Sequence, residues 1–215
     1  SLGNTQRIFL DLTNAQSTAS TFWNNTDPTS TNFTVGSAST VNESGVTFVA
    51  YLFAHNAGGF GESGADNVIS CGVLTAPTST STVTSINLGF EPQYILIKEA
   101  SGVGDWFISD TIRGMTYSTF SFLKANTAQS GNTGGVAQVV PTATGFNVVY
   151  DSAFGSPFAS GATVIYMAIR RPMKKPTSGT EVFATVARTG TGANATIDSG
   201  FPVDMYLMQK RSSVA

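Results

Sequence analysis

Charge is what this sequence has least of. Only 11% of its 215 residues are charged, against roughly 25% in ordinary soluble domains. The 11 basic and 13 acidic side chains leave a net charge of -2. No basic stripe interleaved with aromatics runs along the chain, which argues against nucleic acid as a partner. The one basic cluster, Arg170, Arg171, Lys174 and Lys175, is broken by Pro172 and followed by Pro176, so it is not a basic helix. Cysteine is nearly missing too. Cys71 stands alone, which excludes a disulfide framework or a multi-Cys zinc site within the chain and leaves it the part of a small buried hydrophobe. No apolar run approaches the ~20 residues of a membrane span, so no membrane insertion is expected. The chain opens Ser-Leu-Gly without Met or a leader-like segment, and is expected to be processed or cut from a longer protein.

Thr, Ser, Asn and Gly fill the place of the charges, and 41% of residues are apolar. Thr is β-branched and suits a half-exposed strand. Helical periodicity is scarce; short alternating or apolar runs recur between turn-forming clusters. Strands are expected over Gln6–Leu12, Phe33–Val35, Val46–Phe53, Val68–Leu74, Thr84–Leu88, Tyr94–Glu99, Trp106–Asp110, Thr119–Leu123, Phe146–Tyr150, Thr163–Ile169, Glu181–Ala187 and Met205–Gln209. The fold class that follows is all-β, with antiparallel, jelly-roll-like β-sandwich units and almost no helix.

The chain also repeats itself. Ile86-Asn87-Leu88-Gly89-Phe90-Glu91-Pro92 leads into Tyr94–Lys98, as Ile197-Asp198-Ser199-Gly200-Phe201-Pro202 leads into Met205–Gln209. Gly45–Phe53 parallels Gly161–Ile169, Asn32–Val35 parallels Gly145–Val148, and more loosely Ser20–Thr26 parallels Ser118–Thr127. Pairs in one order imply a unit of about 100–115 residues. On this reading residues 1–62 are the back half of one copy and 67–170 a complete copy. Residues 171–180 are a Pro/Lys-rich linker, and 181–215 the front half of a third copy. Terminal halves would then expose strand edges and need to complete one another.

Motifs for chemistry are weak. Nucleophilic catalysis needs a base beside the nucleophile, and the only histidine, His55, lies in a Gly-rich loop. Gly59-Phe60-Gly61-Glu62-Ser63-Gly64 has dinucleotide-motif spacing, but a β-like run follows where a phosphate-binding helix is needed. Asp105, Asp110 and Asp151 sit at strand ends or turns, where aspartate caps turns more often than it cleaves glycosides. No calcium-loop spacing occurs. No catalytic residue, cofactor or metal ligand is therefore expected. Asn24, Asn32, Asn42 and Asn194 match the glycosylation rule, as chance allows in a chain so rich in Thr and Ser. Trp106, between Asp105 and Phe107, reads as core. Trp23, beside Asn24 and Asn25, is the candidate glycan contact, because an aromatic face with neighbouring amides suits a sugar.

Gly89-Phe90-Glu91-Pro92 running to Lys98, then Trp106, then Asp110-Thr111-Ile112-Arg113-Gly114, resembles a repeat domain of marine bacteriophage tail-fibre and virion structural proteins. Gly145-Phe146 and Asn42-Glu43-Ser44-Gly45 running to Tyr51 extend the resemblance over nearly the whole chain. The third copy keeps Gly200 and Phe201 but has Val203 where Pro92 stands. The resemblance implies a virion-surface, extracellular structural protein rather than an enzyme. It is expected in a tail fibre or receptor-binding appendage, as a homo-oligomer (a trimer, by analogy with phage fibres) beside other virion proteins and facing host glycans. A carbohydrate-binding module is the alternative, and a glycan depolymerase a third. A low-charge surface also suits seawater, having few ion pairs for salt to screen.

Overall fold

The structure, a computed structural model, describes residues 2–61, 63–79, 82–115, 121–128, 132–133, 138–150, 158–170, 178–181, 183–201, 203, 205 and 207–208. The chain divides into two compact units, Ser1–Pro172 and Met173–Ala215. In the described part of the first unit every strand pairing is antiparallel, the helices are two single turns, and irregular stretches run between Asn24 and Val68.

Its N-terminal portion holds β1 (Gln6–Arg7) paired with β2 (Ser17–Thr18), then α1 (Ser20–Trp23) and α2 (Ser39–Asn42). The remaining strands are β3 (Ile69–Thr75), β4 (Val83–Asn87), β5 (Pro92–Glu99), β6 (Trp106–Asp110), β7 (Ser121–Lys124), β8 (Asn132–Thr133), β9 (Val139–Thr142), β10 (Gly145–Val149) and β11 (Thr163–Arg170). They form a larger sheet in the order β3-β11-β5-β6-β7-β8 and a smaller one in the order β4-β10-β9. The last strand in sequence, β11, therefore lies between β3 and β5. It pairs with both over nearly its whole length, Tyr166 standing opposite Gly72 on one side and Ile97 on the other.

The two sheets face each other because strand alternation sends alternate side chains inward. From the larger sheet come Ile95, Ile97, Phe107, Val164 and Ala168; from the smaller come Val139, Phe146 and Val148. Rings meet edge to face, Phe146 with Tyr166 at 5.2 Å and Phe107 with Phe122 at 5.0 Å between centroids, the geometry that ring quadrupoles favour. Gly72 is required where it is: a Cβ there would collide with the Tyr166 side chain. Pro92 opens β5, where a missing N–H costs no ladder bond, and is fully buried.

Part of the larger sheet's other face is covered by the N-terminal segment. The Trp106 indole N–H donates to Phe9 O at 2.7 Å, and the backbone N–H groups of Gln16 and Gly104 donate to Ala100 O and Thr13 O, each at 2.8 Å. Lys98 points to the same side and is 0% exposed. Its ammonium donates to Thr13 O at 3.1 Å and Gly104 O at 2.5 Å, and sits 5.9 Å from the centre of the Trp106 ring. Residues 9–16 are thereby fixed to the sandwich without forming a strand of the sheet.

The expected strands from Val68 to Ile169 are present, with ends shifted by at most two residues and Trp106–Asp110 unshifted; Thr119 and Phe120 lie outside the described residues. Five other expected strands are corrected. Gln6–Leu12 is a strand only at Gln6–Arg7, and Phe33–Val35 and Val46–Phe53 form none. Glu181–Ala187 begins at the end of a 3-10 turn (Gly179–Glu181), and no described residue from 183 onward, including those of Met205–Gln209, is in a strand. Strand propensity needs a neighbouring strand to satisfy the backbone, and beyond Gln6–Arg7 these segments have none among the described residues. The two single-turn helices were not anticipated, since four residues carry no period. Of the expected linker 171–180, residues 171–177 lie outside the described ones, as does Asp151.

Phe146 is 0% exposed at the centre of the sheet-to-sheet contact. Phe146→Ala is expected to cost about 3–5 kcal/mol, read as a lowered midpoint in urea unfolding with an unchanged slope.

Candidate functional site

The described surface carries an open cleft of about 530 Å³ in the N-terminal portion, lined by Ser20, Thr21, Asn24, Asn25, Val35, Gly36, Ser37 and Asn42. A turn of helix and a loop build it. The N–H groups of Gly36 and Ala38 donate to Phe22 O at 2.6 Å and Thr21 O at 3.0 Å, which ties the loop to α1. Gly36 permits that approach, because a Cβ would meet the Thr21 carbonyl. Asn42 braces the loop by donating its amide to Gly36 O at 3.0 Å. Asn24 and Asn25 both take left-handed φ values, 53° and 49°, a conformation that asparagine tolerates better than most residues. Both are exposed.

Hydroxyls and amides dominate the wall, no charged side chain lines it, and Val35 adds an apolar patch. Such a lining offers donors and acceptors to a neutral polyhydroxylated ligand and nothing to an anion or a reacting centre. Trp23, expected beside these amides as a stacking face, is not among the lining residues. It is half-buried, its indole N–H donates to Gln6 O at 3.0 Å, and it packs edge-on against Phe22 at 6.1 Å. The amides and the tryptophan therefore part company: Asn24 and Asn25 face the cleft and Trp23 braces the chain. Thr21, Ser37 and Asn42 escaped the sequence reading because nothing in sequence joins residues 20–25 to 35–42.

The motif residues behave as framework. Gly89 has φ +75°, its N–H donates to the Asn87 side chain at 2.9 Å, and Leu88 and Phe90 on either side are buried in the core. Asp110 is 7% exposed, pairs with the Arg113 guanidinium, and accepts the Arg113 backbone N–H at 2.8 Å, while Gly114 completes the turn at φ +90°. Trp106 is buried. In the second unit Gly200 has φ +77° and donates to Asp198 Oδ1 at 2.9 Å, with Phe201 half-buried after it.

Groups with catalytic names are similarly occupied. His55 accepts the Cys71 backbone N–H through Nδ1 at 3.1 Å, and Asn56 N–H donates to Ile69 O at 2.9 Å, so this loop covers the outer edge of β3. Cys71 is half-buried rather than buried, and burial raises its thiol above the usual range. The glycine motif is a tight turn closed by Gly59 N–H to Gly64 O at 2.7 Å, and β3 follows it, with no helix. Asp105 accepts from Lys124 at 2.7 Å and from Asn126 at 2.8 Å. Those two hydrogen bonds hold its carboxyl below the ordinary value, against the opposing effect of burial. Desolvation lowers the Lys98 ammonium, with Asp105 and Glu99 pulling it back up. Among the described residues no three His, Cys, Asp or Glu side chains gather as a metal site, and no helix is long and apolar enough to cross a membrane.

Residues 1–172 match a family described as a domain of unknown function (DUF7483). No curated protein and no solved structure matches the chain.

Asp105 supplies a test of the charged framework. Its folded pKa lies below its ordinary 3.8, so its stabilising effect is present above that value and lost as pH falls through the folded pKa. Asp105→Ala is expected to lower the unfolding midpoint at pH 7, and the gap from the parent chain to close as pH drops below about 3.8.

Proposed function

This chain belongs to the DUF7483 family, whose description assigns no function, and from its own residues we propose that it is a virion structural protein. It acts as part of a tail fibre or receptor-binding appendage, contributing to assembly and to adhesion at the host surface. The observation that carries this reading is the deployment of its side chains. Lys98, Trp106, Asp110 and Arg113, the residues on which the resemblance to phage fibre repeats rests, are spent in holding strands and turns together. Meanwhile Tyr51 and Leu52 in Val46–Phe53 are 82% and 71% exposed and lack strand partners. Framework inside and apolar chain outside suit a part that assembles. On this reading the protein is not an enzyme, forms homo-oligomers alongside other virion proteins, and lies at the virion surface.

The second reading, a module that binds cell-surface glycans, is favoured by the neutral cleft at Asn24 and Asn25. It fits within the first as the adhesive element.

Two measurements test the pair. Labelling intact phage particles with an antibody to this chain should mark a tail or surface appendage, and absence from particles would reject the structural reading. Joint replacement Asn24→Gly and Asn25→Gly keeps the left-handed backbone while removing both amides. On a glycan array it is expected to weaken sugar binding roughly ten-fold or more, two hydrogen bonds being lost, with an unchanged melting temperature. Equal binding by parent and variant would remove the cleft from the account. Trp23→Ala is a poorer test, since it also breaks the bond to Gln6.

A further inference from the structure

We propose that residues 51–54 close as a strap onto the free edge of β3 in their own chain, adding a short antiparallel strand to the larger sheet. β3 ends that sheet, with β11 beside it. The ladder between them runs through the even-numbered residues of β3 and its flanks. Arg170 N–H donates to Val68 O and Ala76 N–H to Ala162 O, each at 2.8 Å, in register with the paired strands. The N–H and C=O groups of Ile69, Cys71, Val73 and Thr75 therefore point away from β11.

The loop before β3 already holds the near end of this edge. Asn56 N–H donates to Ile69 O at 2.9 Å, and Cys71 N–H donates to His55 Nδ1 at 3.1 Å. At the far end Thr75 O accepts the Thr84 hydroxyl at 2.8 Å. In between, Cys71 O and both main-chain groups of Val73 have no hydrogen-bond partner among the described residues, and Val73 is 40% exposed. β proteins ordinarily cover or blunt an edge of this kind.

The residues that can cover it are next in line. Asn56 beside Ile69 sets an antiparallel register in which Ala54 meets Cys71 and Leu52 meets Val73. In that ladder Cys71 N–H donates to Ala54 O, the place that the His55 ring nitrogen now fills. Leu52 and Val73 exchange both of their bonds. The Asn56 bond has already closed the loop of residues 57–68, so each further rung orders only the residues it adds. A tethered strand therefore outcompetes one arriving from a second copy in solution.

Side-chain parity agrees with this register. Opposed residues in a sheet share a face. Phe53 then stands opposite Gly72 and Tyr51 opposite Leu74, on the side where Leu74 is buried in the core and the Tyr166 side chain lies against Gly72. Ala54 and Leu52 stand opposite Cys71 and Val73, on the outer side. Both rings go in and the small Ala54 goes out, whereas a slip of one residue reverses this. Tyr51 and Phe53 are 82% and 50% exposed in the structure, so closure takes large apolar surface out of water.

The structure shows the open state, with His55 and Asn56 at the hinge and Tyr51–Ala54 in no strand. Open, the β3 edge and the two rings are available to another strand; closed, neither is. Closure depends on this unit's own residues and not on a place in a virion.

Leu52→Cys and Val73→Cys are placed in one full-length chain carrying Cys71→Ser. Both positions are exposed, and directly opposed antiparallel residues lie within reach of a disulfide. Mild oxidation is expected to bridge them within the monomer, at a rate independent of protein concentration. Tyr51→Cys with Val73→Cys, whose side chains fall on opposite faces, should bridge at least ten-fold more slowly. Hydrogen exchange reads the same closure in the parent chain, where the Val73 amide should exchange at least ten-fold more slowly than an unpaired amide. Leu52→Pro removes the donor to Val73 O and should abolish that protection while leaving the Ile97 amide unchanged. Equal bridging by the two cysteine pairs, or an unprotected Val73 amide in the parent, would overturn the proposal. A bridge that forms only between chains would also overturn it, and would give the edge to a second copy.

Discussion

A buried ammonium organises this fold. Lys98 lies at the end of β5 with no exposed surface, and an unpaired charge in that position would cost several kcal/mol. Its three donors face the carbonyls of Thr13 and Gly104 and the ring of Trp106. Those groups come from three separated stretches of chain: the N-terminal segment, the β5–β6 loop and β6. Satisfying one cation therefore fixes all three together. It also explains why residues 1–60 belong to the same compact unit as the complete β-sandwich although they contribute no strand to its two main sheets. Methionine would fill the volume but take the ammonium from both carbonyls, leaving Thr13 O with the Gly104 N–H.

A chain with so few charges has used several of them at internal joints. Asp110 with Arg113 closes the turn after β6, Asp105 with Lys124 joins the β5–β6 loop to β7, and Asp66 with Arg170 links the glycine turn to the end of β11 at 3.0 Å. Each links residues that strand pairing or a tight turn already brings close, so it fixes local geometry more than it adds stability. Beside exposed apolar side chains such as Tyr51 and Leu52, the described surface carries mainly hydroxyls and amides, and the cleft at Asn24 and Asn25 is a sample of these. A surface of that kind keeps its properties across salt concentrations because little on it is screened.

Strand formation obeys a neighbour rule, and this chain displays both outcomes. Thr163–Arg170 and Gly45–Phe53 enter from the same kind of turn with similar apolar content. The first has partners on both sides and is the central strand; the second has none and is exposed.

How much of this was written in the sequence depends on how local each feature is. The short apolar runs at Tyr94–Lys98 and Trp106–Asp110, rich in aromatic and branched residues and bounded by turn formers, mark strands without reference to anything else, because fit to a pleated surface belongs to the residues themselves. Asn87-Leu88-Gly89 and Asp110–Gly114 likewise announce turns, their side chains capping their own neighbours. The all-β class followed from such local signals. Tertiary structure alone decided which apolar runs became strands, since Val46–Phe53 has the content but not the company. It buried Lys98, a residue type that composition places in water, because its partners lie 85 and 6 residues away. It turned Trp23 inward onto Gln6 and gathered residues 20–25 and 35–42 into one cleft. Alternation and turns are encoded within a few residues; partnership is encoded only in the folded arrangement, where distant stretches compete to satisfy the same donors and edges.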